Sequence, residues 1–237
     1  MRIYILAAVI LCLVVAVSGC STQQTGSGNV VNQTKSVKGV NDVSLDGTGT
    51  LIIQQGNQES LIIQAEDNII PHIQSNVNGK NLSLGYDTNT PISTKTVKYY
   101  LTVKDLSSIS ISGAGKVETG GFKTQNLIIS INGAGEGNMS NLNINKLTVN
   151  LSGADKMTMA GTATDQTITI SGDGDYQAKD LKSQSTIITI NGAGKGILNV
   201  SNVLKAIING SGSISYLGNP QVSQQINGAG TIKQTTT

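Results

Sequence analysis

Ile109-Ser110-Ile111-Ser112-Gly113-Ala114-Gly115 returns twenty residues later as Ile129-Ser130-Ile131-Asn132-Gly133-Ala134-Gly135. Five further copies follow, with their first glycines at Gly153, Gly172, Gly192, Gly210 and Gly228, so the interval stays between 18 and 20 residues. A fixed period of this size, with one glycine turn per period, is the signature of a solenoid whose repeats stack as coils. Two residues before each first glycine stand Ile111, Ile131, Leu151, Ile170, Ile190, Ile208 and Ile226. Four before it stand Ile109, Ile129, Val149, Ile168 and Ile188, decaying to Ala206 and Gln224. The residues between them, such as Ser110, Asn150 and Thr169, are polar, and alternation with period 2 describes a strand with one buried face. Apolar residues four and six beyond the glycine predict a second, less regular strand after each turn. A coil this short has room for two or three strands and none for a helix.

The turn has its own chemistry. The residue before the first glycine is always Ser or Asn: Ser112, Asn132, Ser152, Ser171, Asn191, Asn209 and Asn227. Short polar side chains can bond nearby backbone there, while the glycine takes a positive φ at little cost. Stacking places these residues above one another as a ladder. The second glycine gives way once, to Asp155, a residue type that tolerates the left-handed region. Earlier, Val43-Ser44-Leu45-Asp46-Gly47-Thr48-Gly49 keeps the same pattern and reads as a diverged eighth copy. The apolar runs Leu61–Ile63, Leu82–Leu84 and Tyr99–Val103 read as strands that begin and cap the stack. The expectation is therefore an all-β fold: a β-solenoid (β-helix-like) with coils of about 20 residues, capped by an irregular β N-terminal part. Its single domain spans 37–233, divided into the cap at 37–106 and the regular repeats at 107–233, with a polar tail at 234–237.

The N-terminal segment points outside the cytoplasm. Arg2 precedes an apolar run from Ile3 to Val17 that stops at Ser18-Gly19-Cys20. This is the layout of a secretory signal over residues 1–19, too short for a comfortable membrane span of about 20 residues. Cysteine directly after Ser-Gly resembles a bacterial lipobox, which implies acylation of the Cys20 thiol and attachment to a prokaryotic membrane. Residues 20–36 are small, polar and aperiodic, the composition of a lipidated flexible tether. The only other cysteine, Cys12, lies in the signal, so the body has no disulfide and depends on its core.

Composition excludes several functions. The net charge is +2, and there is no Trp and a single Phe122, so neither a basic stripe nor a stacking platform for nucleic acid is present. His72 is the only histidine and Cys/His clusters are lacking, which removes the usual zinc and copper sites. Asp155, Asp173 and Asp175 fall on neighbouring turns and raise the thought of Ca²⁺, yet calcium-binding rolls carry aspartate in nearly every nine-residue repeat. Turn aspartates satisfying their own backbone are the better account. The Gly-Ala-Gly turns are followed by no Gly-Lys-Ser/Thr and no helix, so they are not phosphate loops.

The diverged glycine turn in a β-rich N-terminal part, followed by Ser/Asn-Gly-Ala-Gly copies, resembles the head GIN domain family of "putative" autotransporter adhesins. The carriers are Ser112–Gly115, Asn132–Gly135, Ser152–Asp155, Asn191–Gly194 and Asn227–Gly230, with Asn209-Gly210-Ser211-Gly212 and Tyr216. The resemblance covers about residues 40 to 232. It implies a β-helix-like fold on an envelope-attached protein and brings no catalytic residues, cofactor or metal.

The sequence thus predicts an extracytoplasmic, membrane-anchored and non-catalytic protein. Rows of Ser, Thr and Asn on a solenoid can bind extended polymers through many weak hydrogen bonds. Asn132, Asn191, Asn209 and Asn227 are the candidate ligand-facing residues, with surface polysaccharide as the expected partner. An envelope protein is the alternative partner, for a scaffold or regulatory role. A glycan-active enzyme using Asp155, Asp173 and Asp175 is the third reading. The oligomeric state is not legible.

Overall fold

The computed structural model describes residues 24–87, 92–94 and 97–236. The signal segment and Cys20 lie outside the described residues. The N-terminal part contains β1 (Gln24–Thr25), β2 (Val30–Lys35), β3 (Asp42–Gly47), β4 (Thr50–Gln55), β5 (Ser60–Glu66), β6 (Ile73–Asn78), β7 (Asn81–Tyr86), β8 (Ile92–Ser93) and β9 (Lys98–Val103). The array follows with β10 (Ser108–Gly113), β11 (Lys116–Thr119), β12 (Phe122–Gly133), β13 (Glu136–Gly153), β14 (Lys156–Gly172), β15 (Asp175–Gly192) and β16 (Lys195–Gly210). It ends with β17 (Ser213–Leu217), β18 (Gln221–Gly228) and β19 (Thr231–Gln234). A 3₁₀ turn at Ile70–His72 is the only helical element among the described residues.

All pairings within the array are parallel, and the stretch leading into each glycine turn keeps the register of the repeat, with shifts confined to the part after the turn. Ile111 lies opposite Ile131, then Leu151, Ile170, Ile190, Ile208 and Ile226, and the glycines Gly113 to Gly228 face one another in the same way. About six turns of β-solenoid result. The eighth copy is part of the stack: Leu45 pairs with Ile111 and Gly47 with Gly113. The three N-terminal apolar runs are β5, β7 and β9; β7 and β9 lie in parallel against β3 and β4, and β5 pairs antiparallel with β9.

The interior is filled by the alternating apolar positions. Ile131, Leu151, Ile170, Ile190 and Ile208 are fully buried, each worth roughly 1.5–3 kcal/mol relative to exposure. Along another inner row two large residues, Met157 and Tyr176, lie between two glycines, Gly137 and Gly196. A Cβ on Gly137 would meet the Met157 sulfur at 2.0 Å, so the thioether occupies the space the glycine leaves. The buried Tyr176 hydroxyl donates to Oε1 of Gln166 at 2.7 Å, which lets the phenol lie inside the core. Burial raises the Tyr176 and Tyr99 phenols well above their ordinary range.

The two glycines of each turn do different work. Gly153 has φ +138°, and a Cβ there would lie 2.2 Å from the Gly133 carbonyl oxygen, so both conformation and coil spacing demand glycine. Gly135 is not in the left-handed region; its Cβ would lie 2.5 Å from Cγ2 of Ile131. This corrects the reading of Asp155 as a left-handed residue, because Asn141 is the one described non-glycine with positive φ. Asp155 follows Leu151, which has no Cγ2, whereas Gly135 follows Ile131, whose Cγ2 would press on a Cβ there.

The tether expectation is also corrected. Within 20–36, Gln24–Thr25 pairs with β8, and Val30–Lys35 pairs antiparallel with β5, Val31 opposite Ala65 and Gln33 opposite Ile63. β5 pairs with β9 along one edge, and β2 takes the other. This strand is held by backbone bonds with nearly all its side chains exposed, so its composition looked like a linker. The polar tail begins inside structure as well: Gln234 belongs to β19, and the Thr235 amide donates to the Tyr216 carbonyl at 2.8 Å.

Candidate functional site

The last strand of each coil, the one ending at the first glycine, turns three polar rows outward. One row is Ser108, Ile128, Thr148, Thr167, Ile187 and Lys205; the next is Ser110, Ser130, Asn150, Thr169, Thr189 and Ile207. The third is Ser112, Asn132, Ser152, Ser171, Asn191, Asn209 and Asn227. With about 4.8 Å between coils and about 6.8 Å between alternate residues, the rows tile a face roughly 14 Å wide and 29 Å long. Lys205 is its only charge, and Ile128 and Ile187 are 46% and 43% exposed. Hydroxyls and amides are thus interspersed with exposed Ile128 and Ile187 and half-buried Ile207.

The four predicted asparagines are in one row but not in one state. Asn209 Nδ2 donates to Asn191 Oδ1 at 2.8 Å, and Asn227 Nδ2 donates to Asn209 Oδ1 at 2.8 Å. Coil spacing suits amide-to-amide bonding, so these three form a ladder. Asn132 lies between Ser112 and Ser152, whose side chains are shorter, and its amide makes no side-chain bond among the described residues. The expectation that the row bonds nearby backbone is therefore replaced by side chain to side chain bonding at one end.

The aspartates separate. Asp155 is buried, and its Oδ1 accepts the Gly135 amide at 3.0 Å across the coil step, while Oδ2 has no partner. Burial raises its pKa, opposed by the backbone amides of Gly135 and Ser152. Asp175 accepts from the Gln177 amide, and Asp173 is exposed. His72 ends the 3₁₀ turn, where its amide donates to the Ile69 carbonyl.

One arrangement escaped the sequence reading. Three residues beyond the first glycine, Lys116, Glu136, Lys156, Asp175 and Lys195 lie opposite one another in register, alternating in sign over five coils. Lys116 Nζ and Glu136 Oε2 are 2.6 Å apart. That bond, with the attraction of the pair, raises the Lys116 pKa and lowers that of Glu136. The signal was present: the fourth column of the repeat alignment, read for charge instead of hydropathy, shows it. A cleft of about 280 Å³ adjoins this row at the junction with the N-terminal part, lined by Thr48, Tyr86, Lys98 and Lys116.

Parallel coils, a glycine-turn column and rows of outward polar side chains define a β-solenoid. The chain belongs to the family described as "Putative auto-transporter adhesin, head GIN domain", which matches residues 39–220. It is similar over 90% of its length, and over all of the other chain, to the crystal structure of "a putative adhesin" from Bacteroides fragilis, with 28% identity and a TM-score of 0.86. Two proteins of Parabacteroides distasonis share the fold at 19% identity. One is "putative adhesin" (TM-score 0.74, covering 89% of this chain and 99% of that one). The other is "Putative lipid binding protein" (TM-score 0.73, covering 90% and 100%). A comparison with curated proteins finds no match. Among the described residues no helix is long and apolar enough to cross a membrane.

Proposed function

We propose that this chain is an extracytoplasmic adhesin, anchored to a prokaryotic membrane through lipid on Cys20, that binds surface or envelope polysaccharide without catalysis. The observation that carries the reading is the face built from the three outward rows. An extended glycan presents C–H faces and hydroxyls alternately, and this face offers Ile128 and Ile187 among Ser, Thr and Asn at strand spacing. Single contacts of this kind are weak, and their repetition along the stack supplies avidity. Family membership supports the adhesive role and the position outside the cytoplasm.

The test is retention of the full chain on purified surface polysaccharides, beside whole envelope protein extract as a competing source of partners. Saturable retention that falls about tenfold in Ile128→Asp/Ile187→Asp, with the polymer recovered at its original length, supports the proposal. Retention unchanged by the double variant moves binding off this face. Capture of envelope protein alone replaces it with the scaffold or regulatory role.

A further inference from the structure

The C-terminal coil leaves the solenoid open. Among the described residues, β18 pairs only with β16 and β19 only with β17, so one backbone edge of each is unpaired. Ile226 is 41% exposed, where Ile131, Leu151, Ile170, Ile190 and Ile208 of the same row are fully buried. Val222 and Ile232 are only partly covered. Natural sheets normally blunt such an edge with charge, yet from Ser213 to Thr236 the only charged residue is Lys233.

We propose that this edge is a homodimer interface, in which Gln221–Asn227 pairs antiparallel with the same segment of a second copy about a two-fold axis through Gln224. The segment Gln221-Val222-Ser223-Gln224-Gln225-Ile226-Asn227 is self-complementary by residue class. Pairing centred on Gln224 sets Val222 opposite the partner's Ile226, Gln224 opposite the partner's Gln224, and Gln221 opposite the partner's Asn227. Because side chains alternate, this register keeps Val222, Gln224 and Ile226 of both copies on the core side. Centring on Ser223 or Gln225 sets Gln224 against an apolar residue or leaves one unmatched, and centring between residues sets core-side against solvent-side positions. One register therefore satisfies both faces.

The asparagine ladder agrees with this partner. Asn227 donates toward Asn209, and its own Oδ1 at the open end has no bond among the described residues. Gln221 of a second copy brings an amide donor to that oxygen. The opposite end of the stack is closed, since β3 pairs with β7 and β4 with β9. Association through the open end stops at two copies instead of growing into a fibre. Coil size is adequate: 18 to 20 residues per turn approaches the roughly 20–30 residues a side of a stable interface.

The experiment is sedimentation velocity on the full chain in mild detergent, comparing wild type with Gln224→Lys and Gln224→Glu. Wild type sediments as a dimer. Each variant alone, which sets like charges opposite one another on the axis, dimerises about tenfold more weakly or less. An equimolar mixture of the two restores the dimer by pairing Lys with Glu, which a misfolded variant does not do. A monomeric wild type, variants that dimerise like wild type, or a mixture no tighter than its components overturns the proposal.

Discussion

Asn209 is bonded through its amide on both sides, to Asn191 on one coil and to Asn227 on the next, each at 2.8 Å. Asn132 in the same row has no such partner. Asn209→Ala should therefore lower stability by about 1 kcal/mol, and Asn132→Ala by less than about 0.5 kcal/mol. Urea denaturation of both variants checks the difference. It also makes Asn132 the residue of the row at which a binding defect is separable from a folding one.

Asp155 stands four residues after a leucine, where every other second-glycine position of the array stands four after an isoleucine. Isoleucine at 151 brings a Cγ2 toward the Asp155 Cβ, in the geometry that excludes a side chain at Gly135. Leu151→Ile should cost about 1–3 kcal/mol as overpacking. In a double-mutant cycle, Asp155→Gly should remove most of that cost, and additive effects would show that the two sites are independent.

Asp155 also predicts a pH dependence. Its folded pKa lies above the ordinary 3.8, chiefly because burial penalises the charged form. The native state holds this proton more tightly than the unfolded one, so its favourable contribution is present below the unfolded value and is lost as pH rises through the folded value. Asp155→Asn removes this titration. The stability of wild type relative to the variant should fall with rising pH across that window and be level on either side, as read from urea midpoints.

The charge row is a fourth test. Lys156→Glu produces three acids in succession between Glu136 and Asp175. Cross-strand like charges repel, so thermal stability should drop at low salt and recover toward wild type at high salt, where exposed charges are screened. A Tm gap independent of salt would assign the effect to something other than the row.

The architecture was legible because one period carried two independent signals, apolar alternation and a turn column, and stacking made both recur at the same spacing. Even the diverged copy at Gly47 was placed by the same rule. What stayed hidden was whatever depends on the neighbouring coil. Gly135 and Gly153 look alike in sequence, yet one excludes a Cβ by packing on Ile131 and the other by a positive φ. β2 was hidden for another reason: backbone pairing to β5 leaves no mark on side chains that remain in water. Of the predicted asparagines, the row was legible, but which amides bond to each other depends on whether Ser or Asn follows one coil later.

The most direct measurement is the affinity of the full chain for one surface polysaccharide as a function of its length. A face of repeated weak contacts predicts affinity that rises steeply with polymer length until the chain spans the stack, roughly 29 Å, and then levels off. Affinity that is the same for a disaccharide and for the polymer, or no binding at any length, contradicts the account.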